Sequence, residues 1–470
     1  MPVPSDPVKW AVRAFRDDRA LLYATYRRYM DGNHPKPPGL TQRAWRDLQT
    51  VYNRCATVVD AHADRLRVAG FGSDDPIERE ADAIAQAAED LWNRARMDIH
   101  EGQIAVERFS MGDAYLLVTL DPTTTAPRAQ FWPQNADECR VHYDEERPGV
   151  RDLGAKYWRQ DDEYGRLNLY FADRIEKYIT RNRAPSGIPT GASAFEQYQP
   201  DSDTAWPMRL PVNDTVPLFH FANNGRVNTY GVSELRDVLP IQDQINASLA
   251  RQAAAEHYLT WRQRALLNVD LDASERENAD TWATGMNKLM VIPPNAEGEA
   301  EPKIAEFSAA DMKQFDLVTE KHDIRIGRVS RVPIHYITGE TKAESGRAKR
   351  LNEAPFVEKM ADRIRESQPT YGDAVEYGLR VEGVALQPGE LRVNFESPAP
   401  MSEEDGWELA AMKADAGIPL EQIWIELGYP PDKIERMLEL KRQERELAMI
   451  DLGTFEGASA IGEDEPDEEA

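Results

Sequence analysis

The sequence has few cysteines and no long apolar run. Only two of its 470 residues are cysteines, Cys55 and Cys139, and they match no metal-binding spacing. Two such cysteines suit a reducing cytoplasm. No apolar stretch approaches the roughly 18 residues that a membrane-spanning helix needs. The sequence therefore predicts neither a cysteine-based metal site nor a membrane partner.

The usual catalytic motifs are absent as well. The phosphate-binding pattern Gly-x-x-x-x-Gly-Lys-Ser/Thr does not occur, and Gly339-Glu-Thr-Lys342 lacks its glycine spacing. The patterns His-Glu-x-x-His, Gly-x-Ser-x-Gly and Cys-x-x-Cys are missing too. The many carboxylates are explained better as solvated helix faces than as a two-metal nuclease centre. We therefore expect no catalytic residue, no cofactor and no metal, and we expect that the protein is not an enzyme.

Basic residues are outnumbered by acidic ones. The chain has 56 lysines and arginines against 82 aspartates and glutamates, a net charge of −26. A protein that simply grips DNA would be basic. Two interpretations of the acidity remain open: a wall past which DNA slides without adhering, or ordinary solubility.

One stretch organises the chain, and it is predicted to be a strand, a loop and a very long helix. Residues 216–221 form the apolar strand, and the helix is expected over residues 240–267. Pro240 either kinks this helix or lies in its first turn. A helix of this length would measure about 40 Å at ~1.5 Å per residue, although an ordinary core helix is the alternative.

The residues before this stretch favour helices followed by antiparallel strands. Helices are predicted over residues 6–30, 41–66 and 73–109, and His62 is expected to pack inside the apolar stripe of the second. Short strands are predicted around Phe131, Val141, Tyr157 and Leu169, and residues 181–203 are predicted to be a mobile loop.

The residues after the long helix favour a compact insertion and more helices. The insertion, residues 262–307, is predicted to contain a short helix over 273–282 and strands over 288–292 and 303–307. The remaining predictions are a returning helix over 309–330, a loop over 334–344, a helix from Ser345 interrupted at Pro355 and Pro369, a strand over 391–395, and helices over 402–416, 419–427 and 431–450.

Several stretches, in the same order along the chain, resemble bacteriophage portal proteins of the SPP1-like, actinobacteriophage type. They are Tyr29-Met-Asp-Gly-Asn-His34, Arg65-Leu-Arg-Val-Ala-Gly-Phe71, the segments 91–99, 111–115 and 169–178, Tyr230-Gly-Val-Ser-Glu-Leu-Arg-Asp to Asn246, Ser345-Gly-Arg-Ala, Ala416-Gly-Ile-Pro and Leu427-Gly-Tyr-Pro430. The resemblance extends over most of the chain, from about residue 6 to residue 450.

The resemblance implies an α+β fold, a mainly helical portal protomer with an α/β wing, a stem hairpin of two long helices, a small clip insertion and a helical crown. The implied boundaries are residues 1–231 for the wing, 232–261 for the stem helix, 262–307 for the clip, 308–331 for the second stem helix, 332–398 for the tunnel loop, kinked helix and returning wing strand, 399–452 for the crown, and 453–470 for a disordered acidic tail.

The function implied by the resemblance is a ring of about twelve copies at one capsid vertex, through which double-stranded DNA is packaged and ejected. The implied partners are the terminase large subunit, the major capsid and scaffolding proteins, and a head–tail adaptor. A separate terminase ATPase would supply the energy, which agrees with the missing phosphate loop. The protein would occupy the virion, and the host cytoplasm during assembly. The alternatives are another ring-forming head–tail connector or capsid-associated structural protein, and an enzyme of the packaging apparatus.

Three groups of site residues are predicted. The stem interface between subunits is expected at Ile245 and Leu249, and the clip surface that docks terminase at Glu275, Arg276 and Glu277. The DNA channel is expected at Lys342 on the tunnel loop, with Arg347, Lys349 and Arg350 supporting the loop. These four belong to a basic run from residue 325 to residue 350 that also includes Arg325, Arg328 and Arg331. The alternative is that these bases pair with acids on neighbouring helices.

Overall fold

The structure is a computed structural model of the 470-residue chain, and it has a mixed α+β fold with 48% helix and 20% strand. It describes residues 4–38, 42, 45–46, 51–73, 78–121, 127–185, 187–201, 205–225, 229–259, 264–267, 290–292, 303–306, 313–339, 346–399, 403–426, 433–434 and 436–443. Two compact units are present, residues 1–398 and residues 399–470. Within the described ranges, no helix is long and apolar enough to cross a membrane.

The helices of the first unit are α1 (Pro7–Ala14), α2 (Asp18–Met30), α3 (Arg54–Ala63), α4 (Glu78–Arg94), α5 (Met97–Met111), α6 (Leu239–Leu259), α7 (Lys313–Ser330), α8 (Ile334–Thr338) and α9 (Gly346–Val381). The second unit contains α10 (Glu403–Asp415) and α11 (Leu420–Glu426), and residues 436–443 are also helical. Helices α10 and α11 pack on each other, with Ala410 and Ile423 buried.

The strands of the described ranges form four sheets, in which one pair of neighbouring strands is parallel and the other pairs are antiparallel. The strands are β1 (Val68–Ser73), β2 (Asp113–Leu120), β3 (Ala129–Gln134), β4 (Cys139–Tyr143), β5 (Arg151–Arg159), β6 (Gly165–Tyr170), β7 (Arg174–Thr180), β8 (Phe195–Gln197), β9 (Met208–Arg209), β10 (Leu218–Ala222), β11 (Arg264–Leu267), β12 (Met290–Ile292), β13 (Lys303–Glu306) and β14 (Leu391–Phe395). The sheet orders are β4-β5-β6-β7-β8 with β9 on β7, β10-β2-β3, β1-β14 and β12-β11-β13.

The core of the first unit lies between the helices and the β10-β2-β3 sheet. Its largest buried side chains include Phe109 on α5, Phe219 on β10, and Phe356 and Tyr371 on α9. A second, smaller core is formed where α1 packs its apolar side chains against strands β5 and β6. Burial of these aromatic groups stabilises the unit by roughly 1.5–3 kcal/mol for each large side chain.

Helices α6 and α7 form a hairpin with the β12-β11-β13 sheet inserted between them in the chain. Gln252 of α6 donates to Asp316 at the start of α7, over 3.5 Å, so the two helices run antiparallel. We call α6, the described strands of this sheet and α7 "the hairpin". The predicted strands of the insertion are present, but residues 264–267, which were expected to be helical, form the central strand β11. The predicted helix over 273–282 lies outside the described residues.

Four of the predicted helices upstream and downstream of the hairpin differ from the observed ones. In the one predicted over 41–66, residues 51–53 are not helical, and α3 begins only at Arg54. The helix predicted over 6–30 is broken into α1 and α2, and the one predicted over 73–109 is broken at Arg96, which has a left-handed φ of 54°. Helix α9, in contrast, continues through Pro355 and Pro369, where interruptions were predicted. A proline removes one helical hydrogen bond, but the buried packing of α9 on both sides holds the helix together.

Other predictions hold in part. Pro240 lies in the first turn of α6, which is one of the two alternatives left open by the sequence. His62 is fully buried, and its Nδ1 donates to the carbonyl of Val58 over 2.7 Å, as its place in an apolar stripe indicated. The segment 181–203, predicted to be a loop, contains strand β8, and the segment 334–344 contains α8. The acidic tail lies outside the described residues.

Strand β1 was missed because it is rich in glycine and pairs with β14, more than 300 residues later in the chain. A buried carboxylate fixes its first residue: Oε2 of Glu101 on α5 accepts a hydrogen bond from the backbone N–H of Val68 over 3.0 Å. Burial raises the pKa of Glu101 to about 7, although the hydrogen bond from Val68 opposes the change. Below about pH 7, the protonated acid is therefore the form that the folded protein prefers.

We expect the Glu101→Gln variant to become more stable, relative to the wild type, as the pH rises. Because the folded pKa of Glu101 lies above its usual 4.5, its contribution to stability is complete below pH 4.5 and is lost as the pH rises through 7. The free energy of unfolding of the variant, relative to the wild type, should therefore increase by roughly 2 kcal/mol between pH 5 and pH 8. Urea denaturation at both pH values measures this difference. Glu320→Gln, at an exposed site on α7, is the control, and an equal response of both variants would contradict the prediction.

Candidate functional site

The segment that leads into the hairpin is held by backbone hydrogen bonds at the end of α5. The N–H of Val232 donates to the carbonyl of Asn223 over 2.7 Å, and the N–H of Glu234 donates to the carbonyl of Phe109 over 3.0 Å. The hydroxyl of Ser233 donates to the carbonyl of Ser110 over 2.5 Å. These bonds satisfy carbonyls that a helix C-terminus leaves open. They fix the position at which the chain enters α6.

A buried cluster of charges joins the two ends of the hairpin. Oε2 of Glu234, before α6, accepts from Nζ of Lys359 over 2.6 Å, and its Oε1 accepts from Nε of Arg363 over 3.0 Å. The same Lys359 ammonium donates to the carbonyl of Ser330, the last residue of α7, over 2.8 Å. We call Glu234, Ser330, Lys359 and Arg363 "the hairpin base". Through it, one lysine of α9 holds the residues at which the hairpin begins and ends.

Glu234 remains ionised although it is buried. Burial alone would raise its pKa, but the neighbouring His62, Lys359 and Arg363 outweigh this effect and lower the pKa to about 2. His62 has its own pKa lowered to about 4, first by burial and then by the Lys359 charge, so the imidazole is neutral near pH 7. The hairpin base therefore contains one carboxylate and two cations at neutral pH.

Arg108 extends this charge cluster into the core. Its guanidinium is fully buried, and it donates to the carbonyls of Ala222 and Arg363, to the hydroxyl of Ser367, and to Glu366 over 2.9 Å. A buried guanidinium needs most of its five donors satisfied. Arg108 therefore connects α5 and strand β10 to α9 beside the hairpin base.

A second polar junction lies along the hairpin, between α3, α6 and α7. Arg54 at the start of α3 donates to both carboxylate oxygens of Asp323 on α7, over 3.0 and 2.7 Å. The side-chain oxygen of Gln242 on α6 accepts from the N–H of Arg54 over 2.9 Å, and the Gln242 amide donates to Asn246 over 3.1 Å. Asn246 in turn lies 2.7 Å from His34. The N-terminal helices are therefore fixed to both helices of the hairpin.

One group of side chains has the composition of a catalytic triad, but its histidine and its aspartate are fully buried. Nδ1 of His220 lies 2.7 Å from the hydroxyl of Tyr143, and its Nε2 lies 2.8 Å from Asp113. Burial alone would raise the pKa of Asp113, but hydrogen bonds from His220, Tyr23 and the N–H of Gly231 lower it. The side chains of Asp113 and His220 have no exposed surface. Their arrangement therefore serves to hold Gly231 and the strands in place.

The two residues predicted for the stem interface differ in exposure. Ile245 is fully buried in its own chain, in the core of the first unit, so its side chain is covered without a neighbouring subunit. This corrects the prediction for Ile245. Leu249, one turn further along α6, is only half-buried. Together with Val51, Tyr52, Gln252, Ala253 and Glu256, it lines a shallow surface groove of about 410 Å³.

The residues predicted for the DNA channel and the clip surface are described only in part. Arg350 is exposed near the start of α9, and Arg347 and Lys349 belong to the first turn of the same helix. Lys342 lies outside the described residues, and so do Glu275, Arg276 and Glu277. Their roles remain predictions.

The arginines of the predicted basic run that lie on or beside α7 are exposed. Arg325, Arg328 and Arg331 all face solvent, and no acidic side chain of the described residues lies within ion-pair distance of them. Among the described residues, these three therefore have no acidic partner, and the alternative in which they pair with acids on neighbouring helices is not tested beyond those residues. The hairpin base has no signal in the sequence: Glu234, Lys359 and Arg363 belong to no binding or catalytic motif. The spacing of four residues between Lys359 and Arg363 on α9 is the one local feature that could have drawn attention to them.

Among the described residues, no group of three or more histidines, cysteines, aspartates or glutamates is placed to hold a metal ion. Cys55 and Cys139 are both buried and unpaired, and burial raises the pKa of the Cys55 thiol to about 12. Neither thiol is therefore ionised near neutral pH.

No protein-family profile matches the sequence, and no curated protein matches it either. Solved structures that are similar to the chain include a chain from the virion of a native gene transfer agent particle, with 14% identity and a TM-score of 0.46. A chain from the neck of an empty gene transfer agent particle, computed with C6 symmetry, has 14% identity and a TM-score of 0.47. Each match covers 87% of this chain and 99% of the other.

Proposed function

We propose that this protein is the subunit of a portal: a ring of about twelve copies at one vertex of a phage-type capsid, through which double-stranded DNA is packaged and ejected. In this role the first unit holds the ring together, the hairpin forms the stem, and the strands β11, β12 and β13 belong to the clip. The terminase large subunit, the head–tail adaptor and the capsid and scaffolding proteins are the partners that this role requires. The virion is the expected location, after assembly in the host cytoplasm.

The observation that carries the proposal is the hairpin and the way in which its base is held. Two helices enclose a small sheet in the chain, and Lys359 binds both the residue before α6 and the last residue of α7. The faces of the hairpin that this chain leaves exposed can be covered by neighbouring copies. A helix–sheet–helix hairpin that is held at its base suits the stem of a ring. The succession of portal-like sequence stretches supports the same assignment.

Two other functions are less well supported. The Asp113–His220–Tyr143 group is the arrangement that best fits an enzyme among the described residues, and the complete burial of its Asp113 and His220 side chains argues against a substrate site. A head–tail adaptor would also form a ring. The 470-residue length and the helix–sheet–helix hairpin favour a portal over the shorter adaptors.

Electron microscopy of the purified protein tests the proposal directly. Rings with a central hole are the expected result, whereas a compact monomer would favour the enzyme. Capsids assembled without this protein show whether it is a portal or an adaptor. A missing portal should leave heads that never fill with DNA, and a missing adaptor should leave heads that fill and then leak.

We expect Leu249→Asp to disrupt ring assembly while the subunit stays folded. Leu249 is half-buried in the α6 groove, where a neighbouring copy would complete its burial, and a carboxylate there would lose that contact and remain partly desolvated. Native mass spectrometry should show monomers in place of rings, and circular dichroism should show unchanged helix content. Gln244→Asp, at an exposed site on the same helix, is the matched control. If the Leu249 variant still formed intact rings, Leu249 would not be part of the interface between subunits.

The proposed role of docking terminase stays with the clip surface at Glu275, Arg276 and Glu277. The proposed role of facing DNA stays with the channel residue Lys342. Arg347, Lys349 and Arg350 keep the proposed role of supporting the tunnel loop. Reversing the three clip charges together should block packaging while empty capsids still form.

A further inference from the structure

The exposed face of α7 carries a row of cations. Lys321, Arg325 and Arg328 follow one another at spacings of four and three residues, which places them on one side of a helix. All three are exposed. The buried residues of α7, which are His322, Asp323, Ile326 and Ser330, lie on the opposite side and pack against the rest of the first unit. We call Lys321, Arg325 and Arg328 "the cationic face".

The three acids of α7, which are Asp316, the exposed Glu320 and Asp323, form no ion pair with this face. Asp323 points inward and is bound by Arg54 over 2.7 Å, and Asp316 lies beside Gln252 of α6. Within the described part of the chain, no carboxylate lies within ion-pair distance of the three cations; the guanidinium of Arg325 instead donates to Nδ1 of His322 over 3.3 Å. Three positive charges therefore remain available at the surface of a chain with a net charge of −26.

Helix stability does not explain the arrangement. Like charges three and four residues apart repel each other and weaken a helix. Arg328 lies in the last turn of α7, where a cation interacts favourably with the helix dipole, but Lys321 lies too far from that end to benefit. A fourth exposed cation, Arg331, follows directly and has a left-handed φ of 64°, which is uncommon outside glycine. Four cations are thus presented to solvent between the middle of α7 and the residue that follows it.

We infer that the cationic face binds the phosphate backbone of double-stranded DNA, an inference that rests on the proposed function. The helical rise separates the three charges by about 6 Å and about 4.5 Å along the helix axis. DNA presents one negative charge per ~1.7 Å of its axis, so several phosphates lie within reach of this row. Flexible cations that contact phosphates bind without sequence preference, which suits a DNA that slides.

A neighbouring copy of the chain fits this face less well. Packing three like charges into a subunit contact would remove them from water, and each would need a matching acid to offset that cost. Contact with DNA leaves the charges hydrated and makes the binding weak at high salt. The overall acidity of the chain further limits the attraction to this one row, so that the DNA is held locally and released readily.

Salt-dependent DNA binding by the whole protein tests the inference. The probe is a short, linear, fluorescently labelled DNA duplex, whose anisotropy is measured with the assembled protein over a range of potassium chloride concentrations. The test variant is K321Q/R325Q/R328Q. The control, R13Q/R28Q/R128Q, removes the same charge from exposed positions on α1, on α2 and before β3. Native mass spectrometry of all three proteins reports whether the rings are intact.

We expect the test variant to form rings and to bind the duplex about tenfold or more weakly at the lowest salt concentration. Its slope of log affinity against log salt should fall by about three for each subunit whose cationic face contacts the duplex, since each phosphate contact contributes close to one. The control should retain the wild-type affinity and slope. This result would support the cationic face as the DNA contact.

The other outcomes overturn the inference. Wild-type affinity and slope for the test variant, equal losses for both variants, or no binding by the wild-type ring would each show that the face does not hold DNA. Loss of rings by the test variant alone would assign the face to a contact with a second copy. Failure of the wild-type protein to form rings would count against the proposed function, and binding that depends on the three cations would still support the inference in that case.

Discussion

Gly231→Ala should prevent the first unit from folding correctly, with an expected loss of more than about 4 kcal/mol in the free energy of unfolding. A Cβ at this position would lie 1.9 Å from the carbonyl oxygen of Gly112 and 2.4 Å from the backbone N of Asn223. Both atoms belong to backbone that is itself hydrogen-bonded, since the N–H of Asn223 donates to that same carbonyl over 2.8 Å. Neither atom can move without breaking the hydrogen bonds that place the entry to α6.

The matched control is Gly102→Ala on α5. A Cβ at Gly102 meets no atom within 4 Å, and alanine favours a helix over glycine, so this change should stabilise the protein by about 0.5–1 kcal/mol. Urea denaturation followed by tryptophan fluorescence measures both variants. If Gly231→Ala unfolded within about 1 kcal/mol of the wild type, the close approach at Gly231 would not be a requirement of the fold.

Glu234→Gln should have the next largest effect, a loss of about 3–5 kcal/mol. The substitution keeps the size of the side chain but leaves the Lys359 ammonium and the Arg363 guanidinium buried without their carboxylate. Arg363 also lies 3.3 Å from Glu366, so the loss should be nearer the lower figure. Because Lys359 links both ends of the hairpin, we further expect the hairpin to become accessible to proteases before the rest of the first unit.

The pH dependence gives a second measurement of the same interaction. The folded pKa of Glu234 lies near 2, below its usual 4.5, so its contribution to stability is present above pH 4.5 and is lost as the pH falls through 2. The difference between wild type and Glu234→Gln should therefore shrink as the pH falls from 4.5 to 2. Glu358→Gln, at an exposed site on the same helix as Lys359, should show neither effect. A constant difference at every pH would indicate that lost packing, and not the lost charge, destabilises the variant.

The local pattern of the sequence was sufficient for most elements. The alternation of apolar residues predicted strands at Phe131, Val141, Tyr157 and Leu169, and the three- and four-residue spacing predicted the helices of the hairpin. Boundaries were less well predicted where a break has no proline or glycine, as at Arg96. The continuity of α9 through Pro355 and Pro369 was not predicted either, because buried packing outweighs the lost hydrogen bonds.

The candidate site was predicted only in outline. The interface at Leu249 stays a prediction for a half-buried side chain, whereas Ile245 is buried in the protein's own core. Periodicity identifies which side of a helix is apolar, but it does not say whether the same chain or another copy covers that side. The basic run likewise indicated charge, but not whether Arg325 and Arg328 face solvent or an acid.

The sequence by itself determined the order of helices and strands, the small insertion between two long helices, and the absence of the common catalytic motifs. Only the tertiary structure decided how these parts are joined. Glu234 and Lys359 are 125 residues apart, and strands β1 and β14 are more than 300 residues apart. Periodicity and turn chemistry act over a few residues, so they carry no information about such partners. The free energy of a buried ion pair or a strand pair depends on which distant groups the fold brings into contact.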